Sequence, residues 1–156
     1  MATIEIPDLP AGLRLRPLDD ADIARAAELN AEAGWNQTAV DWRFMLEAGR
    51  GTGIEDGTGD GGGRLIATSM ALPYRGFAWI AMILVTRKWQ RRGLATALMQ
   101  HAKTLCPAGL HLVTLQGNAA ACQFYERHGF VASERGLSPA PESEPDVRYR
   151  WAGFQS

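Results

Sequence analysis

The chain has 156 residues, 16 of them basic and 17 acidic, for a formal net charge of −1, and 46% are hydrophobic. A chain of this length buries roughly 70% of the surface its unfolded form exposes, so one core suffices without disulfide or metal staples. The balanced charge excludes a general nucleic-acid binder, and no apolar run approaches the roughly 20 residues a membrane span needs.

Cys106 and Cys122 lie in neither a CxxC pair nor a His cluster, which predicts two reduced thiols, no metal and a cytoplasmic location. The first residues carry Pro7, Pro10 and Pro17 among acids rather than an apolar run, so neither a secretory leader nor a membrane partner is expected. One domain over residues 1–156 is predicted.

After a loose lead-in from Met1 to Pro10, Leu13-Arg14-Leu15-Arg16 alternates as a short strand that Pro17 ends. Asp19 or Asp20 then caps a helix carrying Ile23, Ala26, Ala27 and Leu29, which runs to Ala33 and stops at Gly34. The turn Gly34-Trp35-Asn36-Gln37 leads to Thr38, the cap of a second helix through Trp42, Met45 and Leu46 that Gly49 terminates.

Eight of the fifteen residues from Gly49 to Gly63 are glycine, and Gly57-Thr58-Gly59-Asp60-Gly61-Gly62 formally matches GxGxxG. That fingerprint needs a strand before it and a helix after it, whereas Leu65 to Met70 reads as a strand, so the dinucleotide reading is set aside. The segment is expected to be a flexible hairpin loop with a short strand at Thr52 to Glu55, mobile and dispensable from Gly51 to Gly63. Strands at Leu65–Leu72 and Ala78–Val85 then flank a turn at Pro73-Tyr74-Arg75-Gly76.

Trp79 to Val85 is apolar throughout, as in a strand covered on both faces. Beyond it, Leu94, Leu98, Ala102 and Leu105 recur at helical spacing, so a basic turn joins a strand to a helix. The first four N–H groups of that helix have no partner within it. Gly93 lets a ligand approach the backbone, and Arg87, Lys88, Arg91 and Arg92 surround it with positive charge, which together describe a phosphate cradle. A solvated basic turn opening an ordinary amphipathic helix is the alternative on charge and spacing alone.

Pro107-Ala108-Gly109 ends the helix and Leu110–Leu115 forms the next strand, closing a right-handed crossover. Asn118 caps another helix that Gly129 closes, Phe130 to Ser133 continues as a strand, and Pro139, Pro141 and Pro145 break up a loop. Val147, Tyr149 and Trp151 alternate with Arg148 and Arg150 in a last strand.

Gln90-Arg91-Arg92-Gly93-Leu94-Ala95 resembles the Gln/Arg-x-x-Gly-x-Gly/Ala signature of the GNAT superfamily of acyl-CoA-dependent N-acyltransferases, placed between a core strand and a helix as it is there. Asn118-Ala-Ala-Ala-Cys-Gln-Phe-Tyr-Glu-Arg-His-Gly-Phe130 is similar to a second stretch of that family, an Asn-capped helix ending in Phe-Tyr-x-x-x-Gly-Phe. The resemblance implies an α/β (α+β) GNAT fold, a mixed and mostly antiparallel sheet of about six to seven strands with four helices on both faces. It implies acetyl-CoA as donor, a primary amine of a small molecule or peptide as acceptor, and a monomer or homodimer. The turn around Trp35 to Thr38 and Asp41-Trp42 are similar to an uncharacterised bacterial branch of the family.

By the same resemblance, Gln90, Arg91, Arg92, Gly93, Leu94, Ala95 and Thr96 hold the pyrophosphate, and Ile83, Leu84 and Val85 offer backbone N–H groups to the thioester carbonyl and its arm. Asn118 and Ala121 flank that arm, and Tyr125 is the general acid for the departing thiolate; an ordinary core tyrosine is its plain alternative. Many members carry a glutamate base on the strand equivalent to Trp79–Val85, and none stands there. Glu28, Glu32, Asp41, His101 and His111 remain candidates, beside binding of an already neutral amine with proton loss through water. Acceptor contacts are expected from Trp35, Asn36, Gln37, Tyr74 and Trp79, and from the loop after Ser133. The missing glutamate leaves a non-catalytic acyl-CoA-binding module as the second reading. The absence of Gly-x-x-x-x-Gly-Lys-Ser/Thr argues against a third, a nucleotide-binding protein.

Overall fold

The computed structural model describes residues 7–59 and 63–154. Its elements are β1 (Leu13–Pro17), α1 (Ile23–Glu32), α2 (Ala39–Ala48), β2 (Arg50–Asp56), β3 (Arg64–Tyr74), β4 (Phe77–Val85), α3 (Leu94–Leu105), β5 (Leu110–Leu115), α4 (Ala119–Arg127), β6 (Val131–Leu137) and β7 (Pro145–Trp151). Short 3₁₀ turns at Asp20–Asp22 and Arg87–Trp89 precede α1 and α3. The seven strands form one sheet in the order β1-β2-β3-β4-β5-β7-β6, antiparallel at every pair except β4 with β5. This is the mixed, mostly antiparallel α/β architecture the sequence predicts.

The helix ends follow from local chemistry. Asp19 and Asp22 form a capping box at the turn that starts α1, and Thr38 with Asp41 forms another at α2. Gly129 (φ +85°) lets the chain leave α4, with Gly129 N–H bonded to Glu126 O and Phe130 N–H to Tyr125 O, so the last carbonyls are satisfied.

Two layers of helix cover the sheet. Leu29 of α1 with Trp42 and Met45 of α2 pack on Leu65, Met70 and Leu84 from one face. Leu94 and Leu98 of α3 pack on Ile54, Ile66 and Ala67 from the other, and Met99 and Ala102 join Ala71, Ile80, Leu110 and Phe130 there, with Phe124 and Tyr125 of α4 against them. Lys103 is buried in this layer, its Nζ donating to His128 O at 2.5 Å over the Trp151 ring, which ties α3 to the end of α4.

The glycine-rich segment contains the strand expected at Thr52 to Glu55 but corrects the reading of Gly51 to Gly63 as mobile and dispensable. Strand β2 takes up Arg50–Asp56 and pairs with β1 on one side and β3 on the other, so its first half is interior sheet rather than a dispensable loop. Glycine serves close approach here: a Cβ on Gly49 would sit 2.3 Å from the Ala71 carbonyl oxygen. Gly49→Ala should therefore destabilise the protein by about 1 to 3 kcal/mol through forced backbone shifts, measurable by denaturant unfolding. Residues 60–62 of the GxGxxG match lie outside the described residues, but β2 precedes that match and β3 follows it, so no strand-to-helix fingerprint is formed. Pro73 and Tyr74 belong to β3, which shrinks the next turn to Arg75-Gly76, with Gly76 at φ +78°. Strand β6 extends to Leu137 rather than ending at Ser133.

Candidate active site

The sheet opens at its one parallel pair. β4 and β5 are in register only at Ala78 with Leu110 and Trp79 with His111, although β4 continues to Val85 and β5 to Leu115. On its far side β5 stays paired with β7 from Leu110 to Leu115, so it follows β7 away from β4.

A bulge in β4 bends the other wall. Thr68 pairs with Leu84 and Met70 with Ala81, which leaves Met82 and Ile83 opposite Ser69 alone, and Met82 takes φ +56°. The Thr68 hydroxyl donates to Met82 O at 2.8 Å, and Asn30 Nδ2 reaches Met82 Sδ at 3.4 Å. The resulting cleft of about 270 Å³ runs through the sheet. Ile80, Ile83, Leu112 and Tyr125 line it together with Trp35, Trp79 and Val113, and no charged side chain does.

At the end of β4 the chain enters the basic turn. Gln90 Nε2 donates to Val85 O at 3.0 Å, Arg91 takes φ +64° and Gly93 φ +84°. Gly93 occupies the N-cap position of α3 without any side-chain cap, and a Cβ there would meet no atom within 4 Å. The first N–H groups of α3 thus have no side-chain cap, next to the exposed Arg91 and Arg92, with the Arg92 guanidinium over Trp89 at 4.8 Å. An uncapped helix start, a left-handed glycine and exposed cations fit a phosphate ligand. Leu94 is buried and Ala95 half-buried behind this rim, whereas the Thr96 hydroxyl lies 3.3 Å from His128 Nε2 and links α3 to α4.

Tyr125 approaches the cleft from α4. Its ring packs against Phe130 and Tyr149, at centroid distances of 6.0 and 5.9 Å, while its hydroxyl has no hydrogen-bond partner among the described residues. Burial pushes its pKa up to about 12, with a smaller contribution from Cys122, so the group stays protonated at neutral pH. Neighbouring Tyr149 differs, since its hydroxyl donates to Glu126 Oε1 at 2.8 Å. Ala121 stands one turn before Tyr125, and the Asn118 side chain accepts from Ala121 N–H at 3.1 Å as the cap of α4. Asn118→Ala should cost about 1 kcal/mol of stability, seen as a lower melting temperature.

The other candidates scatter. Trp35 and Trp79 line the cleft, Tyr74 stacks on Phe77 at 5.5 Å outside its lining, and Asn36 is exposed. Gln37 Oε1 accepts from Asn30 Nδ2 at 3.3 Å, and Asn30 Oδ1 accepts from the Trp42 indole, so Gln37 steadies the turn bearing Trp35. Glu32 accepts from the Thr86 hydroxyl and from Arg87 N–H at 2.6 Å, and that backbone bond holds its carboxyl below the usual range. Glu28 pairs with Arg25, and Asp41 caps α2. Burial lowers the pKa of His101, which lines a groove of about 900 Å³ beside Leu46, Arg50 and Leu105. That groove is larger than the cleft, and its lining includes neither Tyr125 nor the helix start. His111 stacks on Phe77 at 4.1 Å, with its Nδ1 buried and unpartnered.

The arrangement can hold a phosphorylated ligand at one end and present a proton donor inside an uncharged cleft at the other. Sequence reasoning missed Asn30 and Met82, which shape the cleft through contacts between residues far apart in the chain.

The family model described as acetyltransferase (GNAT) matches residues 22–130. Among solved structures, the ribosomal-protein-S18-alanine N-acetyltransferase of Escherichia coli is 18% identical with a TM-score of 0.76, over 92% of this chain and 96% of that one. NAA60 of Arabidopsis thaliana in complex with acetyl-CoA is 16% identical with a TM-score of 0.78, over 89% of this chain and 97% of that one. A variant of spermidine N-acetyltransferase from Vibrio cholerae is 18% identical with a TM-score of 0.71, over 91% of this chain and 94% of that one. Comparison with curated protein sequences gives no match. Among the described residues no helix is long and apolar enough to cross a membrane.

Proposed function

The chain belongs to the GNAT family of acetyltransferases, and from that premise we propose that it transfers the acetyl group of acetyl-CoA to a primary amine of a small molecule or peptide, with Tyr125 as general acid. It is an N-acetyltransferase of that family, whose acetyl donor is acetyl-CoA. That membership sets aside the non-catalytic acyl-CoA-binding module that stood as the second reading. Residues 1–156 act as one catalytic domain in this proposal.

When bound, acetyl-CoA supplies an activated thioester. The first turn of α3, with Gly93, Arg91 and Arg92, binds its pyrophosphate through backbone N–H groups and charge. Gln90, Leu94, Ala95 and Thr96 fix that turn's shape. Past Trp79, the β4 edge that faces β5 has no ladder partner. N–H groups from Ile83 to Val85 on that edge are available to a pantetheine arm and a polarised carbonyl. Asn118 and Ala121 keep the start of α4 clear beside that arm.

Tyr125 then gives its proton to the sulfur as the thiol leaves. The acceptor amine enters from the Trp35 and Trp79 side. With no carboxylate lining the cleft, the amine binds in its neutral form and loses its second proton to solvent.

The observation that carries this reading is the Tyr125 hydroxyl, without a partner among the described residues, in the opened seam between β4 and β5. The experiment is acetyl-CoA thiol release against a panel of amines, with mass analysis of the product. Amine-dependent release with a 42-Da gain on the amine is expected from replacing one hydrogen by acetyl. Release that no amine accelerates overturns the proposal.

A further inference from the structure

The sheet face on the Trp35 side of the cleft is covered by α1 and α2 only as far as β4. Beyond that, Val113, Leu115 and Val131 are exposed. Paired residues of neighbouring strands present their side chains on the same face. One row across this open face is therefore Trp79, His111, Arg150 and Val131, and the next is Val113, Arg148 and Glu134. Trp79 and Val113 are walls of the cleft, so Arg148, paired with Val113 and set over Trp79, stands beside it, with Arg150 in the row through His111.

We propose that the amine acceptor carries a carboxylate beside its apolar part, and that Arg148, seconded by Arg150, binds that carboxylate on the open face of the sheet. This rests on the acetyl-transfer reading of the cleft and specifies its substrate class.

Arg148 is built for the task. Its guanidinium carbon lies 4.9 Å from the centroid of the Trp79 ring, a cation–π contact that steadies the group beside the cleft wall. Its ion pair, with Glu134, is 3.5 Å long between side chains that are 41% and 68% exposed, a contact weak enough for a bidentate carboxylate to displace. Arg150 has no ion-pair partner among the described residues. Burial lowers the basicity of His111 first, and the charges of Arg148 and Arg150 lower it further, so their field reaches the cleft wall.

The same field decides against other acceptors. A second cationic group, as on a polyamine, meets two guanidiniums and no acid in the cleft lining. A carboxylate beside the cleft is attracted, and the guanidiniums also favour the neutral form of the nearby amine. Trp35, Trp79 and Val113 take the apolar part.

The test compares amines that differ only by the carboxylate: L-phenylalanine with phenethylamine, and L-leucine with isopentylamine. Thiol release gives kcat/KM for each, and calorimetric titration of the CoA-loaded protein with N-acetyl-L-phenylalanine and N-acetylphenethylamine gives affinity without turnover. The carboxylated member of each pair should be favoured at least about tenfold, and Arg148→Ala should cut that ratio by about 10- to 100-fold, the worth of a charge-assisted hydrogen bond. Arg148→Lys, which keeps the charge and loses the fork, should fall between the two. Equal or reversed preference in both assays, or a ratio untouched by Arg148→Ala, overturns the inference. A binding preference without thiol release keeps the carboxylate site and sinks the Tyr125 reading. Turnover without the preference does the reverse.

Discussion

Gly93→Glu should lose acetyl-CoA affinity by about 100-fold or more while remaining folded. Two or more charge-assisted hydrogen bonds from the first turn of α3 would be displaced, each worth about 1.5 to 3 kcal/mol. The new carboxylate would also stand where the pyrophosphate binds and repel it. The space for it exists, since a Cβ at Gly93 meets nothing within 4 Å. The cost to folding is the left-handed backbone at φ +84°, about 1 to 2 kcal/mol for a residue with a side chain. A domain stable by roughly 5 to 15 kcal/mol survives that.

Gly93→Ala separates the two effects, because it carries the same backbone strain without charge or reach. It should lower the melting temperature as much as Gly93→Glu and the affinity by less than about tenfold, since the N–H groups stay in place. Calorimetric titration with CoA reads all three proteins. Wild-type affinity in Gly93→Glu would move the pyrophosphate site elsewhere. Equal losses in both variants would assign the effect to distortion of the turn.

The parts legible in the sequence are those set by neighbours along the chain. Leu94, Leu98 and Ala102 lie on one helical stripe, and all three are buried against the sheet between Gly93 and Cys106, where the spacing places them. Gly93 and Gly129 are legible for the same reason: a helix start open to a ligand and a helix end turned by a left-handed residue are local events.

What escaped the sequence depends on register. The cleft exists because Thr68 pairs with Leu84 and Met70 with Ala81, one residue out of step, and nothing in an unbroken apolar run from Trp79 to Val85 marks that slip. Gly49 reads in the sequence only as the end of α2, and its close approach to the Ala71 carbonyl, set by the position of β3, is invisible there. Arg148 and Arg150 alternate with Val147 and Tyr149 as any half-buried strand would, and only the order β4-β5-β7 brings Arg148 beside the cleft. The proposed cradle is therefore a sequence motif, and the proposed acceptor side is a product of strand order.

Tyr125→Phe should lower kcat by about 10² to 10⁴-fold with acetyl-CoA affinity near normal, because the hydroxyl acts only as the thiol departs. A thiolate is a good leaving group, so the loss should fall toward the lower end of that range. The structure sharpens the stability side of the prediction. The hydroxyl has no hydrogen-bond partner among the described residues, while the ring keeps its contacts with Phe130 and Tyr149 in phenylalanine. Removing a hydroxyl that has no protein partner orphans no other group, so the melting temperature should hold. A tyrosine kept for structure would behave in the opposite way, losing stability and leaving turnover intact. Its pKa of about 12 adds a pH signature. The proton is retained across the whole neutral and mildly alkaline range, so wild-type turnover should show no fall from this group up to about pH 10, where an unperturbed tyrosine would already be about half ionised. Thiol release at saturating acetyl-CoA with the best amine, set beside a CoA titration and a thermal melt of the same variant, reads every term. Unchanged turnover removes Tyr125 as the acid, and equal losses of turnover and affinity make it a residue that positions the thioester.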